Sequence, residues 1–176
     1  MGLLTTGFTK SSSCSRIAGV KTIYAADRTD VVSFTKTSAS DAYATVTMTS
    51  AGVWRKYEFK ENDAELTEAL EGQDGAFQWT QQINFNMPGL SKTIQKIKKD
   101  FASASGCGMI LVVELLNGVN FVIGYSETGG FLFPAKLTES DSTSGRAMTD
   151  NPGATISIAA MSPEPMWTFT GTISAT

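Results

Sequence analysis

Ala76-Phe77-Gln78-Trp79-Thr80-Gln81-Gln82-Ile83-Asn84-Phe85-Asn86 runs into a Met87-Pro88-Gly89 break, and then into Ser91-Lys92-Thr93-Ile94-Gln95-Lys96-Ile97-Lys98-Lys99-Asp100-Phe101. The hydrophobic period changes across that break. Before it, Phe77, Trp79, Gln81, Ile83 and Phe85 share one face, and the other face is mostly Gln, Thr and Asn. That is the pattern of a half-buried strand. The segment is long for a strand, so it is expected to bend or to form the edge of a barrel. After the break, Leu90, Ile94, Ile97, Phe101 and Ala104 make one continuous helical stripe. Ser91 is placed as the N-cap, and Gly106 and Gly108 are placed to end the helix. Residues 109–116 then form a nearly unbroken apolar run, interrupted by Glu114, as expected of a central strand buried on both faces. Asn117-Gly118 signals a hairpin turn with positive φ at both residues, and residues 119–125 are its second strand.

The flanking sequence reads as short strands and turns. Strands are expected over residues 20–25, 31–35, 43–49, 53–60, 131–138, 154–161 and 166–173, with Pro134 near an edge. Residues 63–70 fit both a helix and a period-two face, and the strands on either side favour a strand. Residues 139–153 read as a long polar loop, of the kind that is usually functional or ordered on assembly. Residues 1–16 read as an N-terminal arm. The expected fold is therefore mainly β, a β-sandwich or barrel-like core with one flanking α-helix, in a single domain over residues 17–176.

Composition narrows the chemistry. The 176 residues suffice for one domain with its own core. The sequence has no histidine, which removes the usual general base, the commonest metal ligand and the physiological pH switch together. No Gly-x-Ser-x-Gly elbow is present, and Gly129-Gly130 leads into Phe131 rather than into a helix start. Asp27, Asp30 and Asp41 lack the spacing of a calcium loop and read as turn residues. Cys14 and Cys107 have no metal spacing and read as two buried thiols; Cys107 in Gly106-Cys107-Gly108 reads as a small residue in a tight passage. Trp54, Trp79 and Trp167 read as core. No signal peptide or spanning segment is visible, so a cytosolic origin without a membrane anchor is expected. No catalytic residue, metal or cofactor is expected.

Charge is unevenly placed. Glu61, Asp63, Glu65, Glu68, Glu71 and Asp74 follow one another with no basic residue between them, whereas Lys92, Lys96, Lys98 and Lys99 crowd the helix. The two runs read either as solvated surfaces or as complementary halves of a head-to-tail contact between identical subunits. A nucleic-acid or membrane surface on the lysine helix is a weaker alternative, because the net charge of −3 provides no attractive global field.

Ile17-Ala18-Gly19-Val20-Lys21-Thr22-Ile23-Tyr24-Ala25-Ala26, Trp54-Arg55-Lys56-Tyr57-Glu58-Phe59, the acidic Ala64-Glu65-Leu66-Thr67-Glu68, the long strand, the lysine helix, the Asn-Gly hairpin and the closing Pro163-Glu164-Pro165 segment follow in a familiar order. This layout resembles the tail-tube and neck-ring structural proteins of tailed bacteriophages over residues 17–173. The resemblance implies a virion protein, assembled in the host cytoplasm, that joins its sheets with copies of itself into rings, with a hexamer favoured. Stacked rings would form the channel through which the genome is ejected, DNA passing through the lumen without specific binding. Other tail, neck or portal proteins would be its remaining partners. It implies an acidic lumen, supplied either by the acidic run or by other acidic loops. On this reading Glu61, Asp63, Glu65, Glu68, Lys92, Lys96, Lys98 and Lys99 are subunit-interface candidates. The rival expectations are a monomeric β-sandwich that binds a host surface or carbohydrate, and a head-completion or decoration protein.

Overall fold

The alternating segments pair into two sheets in the computed structural model, which describes residues 18–36, 42–60, 62–73, 76–146 and 152–174. In chain order the strands are β1 (Val20–Asp27), β2 (Val31–Lys36), β3 (Tyr43–Met48), β4 (Arg55–Glu58), β5 (Ala64–Gln73), β6 (Ala76–Pro88), β7 (Met109–Leu115), β8 (Asn120–Ile123), β9 (Lys136–Thr143), β10 (Gly153–Ser162) and β11 (Thr168–Phe169). A single helix of appreciable length among the described residues, α1 (Lys92–Ala104), lies between β6 and β7. One sheet has the order β2-β3-β11-β8-β7-β1-β4 and the other β5-β6-β10-β9. The mainly β, sandwich-like core with one helix is thus the observed fold. The ambiguous segment at residues 63–70 belongs to a strand, β5.

Two cores hold the sheets. The first lies between them, where Ile23 and Ala25 of β1 and Leu111 and Val113 of β7 meet Ile83 and Phe85 of β6 and Ile156 and Ile158 of β10. The second covers the opposite face of the larger sheet, with Ile110 and Val112 of β7 and Val122 of β8 packed among Phe34, Tyr43, Trp54 and Phe169. Phe34 and Tyr43 come from β2 and β3, so the larger sheet curls back over its own outer face. This arrangement accounts for the unbroken apolar run of β7. Its odd-numbered residues feed one core and its even-numbered residues the other, and all five from Met109 to Val113 are almost fully buried.

Helix α1 closes the open side of the sandwich. Ser91 caps it, its Oγ accepting the Ile94 N–H at 3.2 Å. Phe101 is buried against Tyr57 and Phe85, with ring centroids 5.2 and 5.9 Å away. At the other end Gly108 takes φ +90°, and a Cβ there would lie 2.4 Å from Pro134 Cγ, so only glycine makes this passage into β7.

Several expectations are corrected. The β7–β8 turn has positive φ at Gly118 and not at Asn117. Leu115 N–H donates to Val119 C=O, Gly118 N–H donates back to Leu115 C=O, and the Asn117 side chain accepts from Val119 N–H. This is a three-residue loop, a turn followed by one left-handed glycine, which suits the strand twist as well as the two-residue form does. Residues 131–134 form turns rather than a strand, and the pairing begins at the Met109–Ala135 bridge. Residues 139–143, read as loop, are the second half of β9 and pair with β10. Backbone hydrogen bonds hold that strand, and its Ser, Thr, Asp and Glu side chains left no apolar alternation to detect. The closing strand shrinks to Thr168–Phe169. Cys107 is exposed, not buried. The expected arm at residues 1–16, Cys14, and residues 147–151 of the expected loop lie outside the described residues.

Candidate assembly surfaces

The smaller sheet has two unlike faces. Antiparallel register aligns Leu66 with Ile83, Glu68 with Gln81, Leu70 with Trp79 and Gly72 with Phe77, and these side chains share the core-facing side. The opposite side carries Glu65, Thr67 and Glu71 of β5, Gln78, Thr80, Gln82 and Asn84 of β6, Thr155 and Ser157 of β10, and Glu139 and Asp141 of β9. Polar side chains there bond to one another: Gln82 Nε2 donates to Asn84 Oδ1 at 2.8 Å, and Ser157 Oγ donates to the same oxygen at 2.6 Å. Lys136 is the cation that joins this face, at the register position of Ala159.

The β5–β6 hairpin outruns the core. β10 pairs with β6 only from Trp79 to Pro88, so residues 76–78 have β5 as their sole strand partner. The side chains of this end are exposed on both faces: Leu70 is 50% and Phe77 57% accessible. Nearby on the polar side, Met161 is 55% accessible. The sheet's apolar side therefore continues past the point where another of the described residues covers it. Phe77 and Trp79, assigned to a buried face by their alternation, are exposed and half-buried respectively. The available signal was strand length, since β6 has 13 residues and reaches about 43 Å at the usual rise per residue.

The two ends of this sheet also differ. β9 is tied to the helix: Leu137 N–H donates to Ser105 Oγ at 2.7 Å, and Lys98 Nζ bonds Ser142 Oγ. β5 is the terminal strand at the other end. There Glu68 is held by its own chain, its carboxylate accepting the Met166 N–H at 2.6 Å.

A second surface lies beside the helix. A cleft of about 880 Å³ separates α1 from β4, the terminal strand of the larger sheet. Tyr57, Ile97, Phe101 and Met109 line its apolar part. Arg55, Lys96 and Thr93 border it, as do Asp27, Asp30 and Asp100. Burial holds the Tyr57 hydroxyl above its ordinary pKa, with the Asp100 carboxylate adding to the effect, so the ring is a neutral, half-buried wall.

The described ones among the expected interface residues are distributed over both surfaces, and no ion pair joins them to one another within one copy. Glu65 is exposed on the polar side, Asp63 is half-buried at the start of β5, and Glu61 lies outside the described residues. Lys92, Lys96 and Lys99 are exposed on α1, and Lys98 is the one engaged with Ser142. The ion pairs among the described residues are Lys21–Glu114, Lys36–Glu127 and Lys56–Glu58, and none joins the acidic strand to the lysine helix. Lys36 also lies over the Trp167 ring, 4.2 Å from its centroid, and Trp167 Nε1 donates to Glu164. Among the described residues, no group of three or more Cys, Asp or Glu is placed to hold a metal ion, and no helix is long and apolar enough to cross a membrane.

No family model, curated protein or solved structure matches the chain.

Proposed function

We propose that this protein is a non-enzymatic structural subunit that assembles with copies of itself into rings of a bacteriophage tail tube or neck. The observation that carries the reading is the split character of the smaller sheet. One side is apolar and continues beyond the core, and the other is a broad polar face whose charged residues are mainly acidic. A subunit that joined its sheet to a neighbour's through the terminal strand β5 would turn an unpaired edge into an interface, and a closed ring would leave no such edge. The polar side would then line the channel. Glu65, Glu139 and Asp141, with Lys136 as the cation on that side among the described residues, would repel phosphate rather than grip it, which suits passage of DNA without retention. Virion location and hexameric order follow from the resemblance to tail-tube and neck-ring proteins and belong to the same proposal.

Mass measurement combined with negative-stain imaging of the purified chain, over a range of salt and protein concentration, tests this. Rings or tubes are the expected outcome. A strict monomer at every condition would overturn it.

A further inference from the structure

The hairpin tip and the helix cleft have complementary chemistry and sit at opposite ends of one molecule. The tip offers Leu70 and Phe77 on one side and Glu71 on the other, and no basic residue occurs between Lys60 and Lys92. The cleft offers Tyr57, Ile97 and Phe101, and its border carries Lys96 and Arg55 together with Asp27, Asp30 and Asp100. Neither cation forms an ion pair with a carboxylate among the described residues, and Asp100, one turn after Lys96, lies on the Asp27 and Asp30 side of it. Helix α1 carries four lysines against one aspartate.

A copy cannot fill its own cleft. Phe85 touches Phe101 at the cleft's base, and Phe77 lies eight residues further along the same strand, roughly 26 Å away at the usual rise. The strand runs away from the helix, so the tip does not reach the cleft of its own copy.

We propose that the β5–β6 hairpin tip of one copy docks in the α1–β4 cleft of a second, Leu70 and Phe77 entering the apolar part and Glu71 meeting Lys96. The cleft itself sets the direction of entry. Arg28 N–H donates to Gly108 C=O, which brings Asp27 and Asp30 beside the C-terminal end of α1, where they repel an acidic guest. Lys96 and Thr93 lie toward the other end, which is where the tip is received. The contact joins unlike surfaces, so it is heterologous and propagates from copy to copy until it closes or extends as a filament. This inference rests on the assembly reading above and specifies the contact that drives it.

Cross-linking between two populations tests it. In a Cys14→Ser, Cys107→Ser background, Gln78→Cys chains, which keep Leu70 and Phe77 and carry the cysteine at the register position of Glu71, are mixed with Thr93→Cys chains before assembly, and Thr155→Cys replaces Gln78→Cys as the control. A disulfide-linked heterodimer is expected from the first mixture and not from the control. Lys96→Glu on the Thr93→Cys chain should abolish the link, and Glu71→Lys on the Gln78→Cys chain should restore it. Assembled particles that give no more link than the control would overturn the docking and leave the assembly reading standing. A chain that remains monomeric throughout would overturn both.

Discussion

Strand β7 and the outer end of the β5–β6 hairpin are both antiparallel β-structure rich in apolar residues, yet one is buried on both faces and the other on neither. In β7, Leu111 and Val113 meet the smaller sheet while Ile110 and Val112 meet the aromatic cluster under the curled larger sheet. At the hairpin tip, Leu70 and Phe77 occupy the corresponding inward side and touch solvent. The difference lies in what stands opposite. A two-stranded ribbon has no stable core of its own, so the tip is held by its ladder while its apolar surface remains free to be covered by another molecule. The doubly buried strand contributes fold stability, and the uncovered tip contributes association surface.

Replacing a residue at the doubly buried end should have the largest effect. Leu111→Ala removes a fully buried side chain from the core between the two sheets and is expected to cost about 2–5 kcal/mol. Denaturant unfolding would show it, and a loss below about 1 kcal/mol would mean that β7 is not the stabilising centre.

A smaller effect, of opposite sign, is expected in the second core, on the outer face of the larger sheet. The Tyr43 hydroxyl is buried without a hydrogen-bond partner among the described residues, so Tyr43→Phe should be neutral or stabilising by up to about 1 kcal/mol at pH 7. Burial, with added repulsion from Tyr125, Glu164 and Glu127, raises the Tyr43 pKa. A raised folded-state pKa means that its contribution is complete below the ordinary tyrosine value of about 10 and is lost as pH rises through the folded value. Tyr43→Phe should therefore flatten the alkaline fall in stability. An unchanged profile between about pH 9 and 12 would assign that fall to other groups, such as Tyr57.

The smallest stability change belongs to the tip. Phe77→Ser should alter the unfolding free energy by no more than about 0.5 kcal/mol while weakening self-association in sedimentation velocity. A large loss of monomer stability would show that the tip is packed after all and would erase the contrast with β7.

Much of this fold could be read from local pattern. Ser91, the Leu90-to-Ala104 stripe and Gly108 specify α1, because caps and helical periodicity depend on residues within a few positions of one another. The double burial of β7 is visible in its unbroken apolar run, and the split faces of β6 in its alternation. The second half of β9, residues 139–143, escaped detection because its pairing uses backbone groups that every residue carries. The turn type at Asn117-Gly118 escaped because both hairpin forms accept the same two residues.

The candidate surfaces were half legible. The acidic run and the lysine helix stand out as charge, and sequence alone determined that they are separate and of opposite sign. Only the tertiary structure decided that the acidic strand starts beside the strand end that packs on the helix and runs out to the hairpin tip, that Glu68 is held by its own chain, and that Phe77 extends beyond the core. Alternation records which side of a strand a residue takes. What lies across from that side depends on how far the facing strand reaches, and β10 ends its pairing at Trp79.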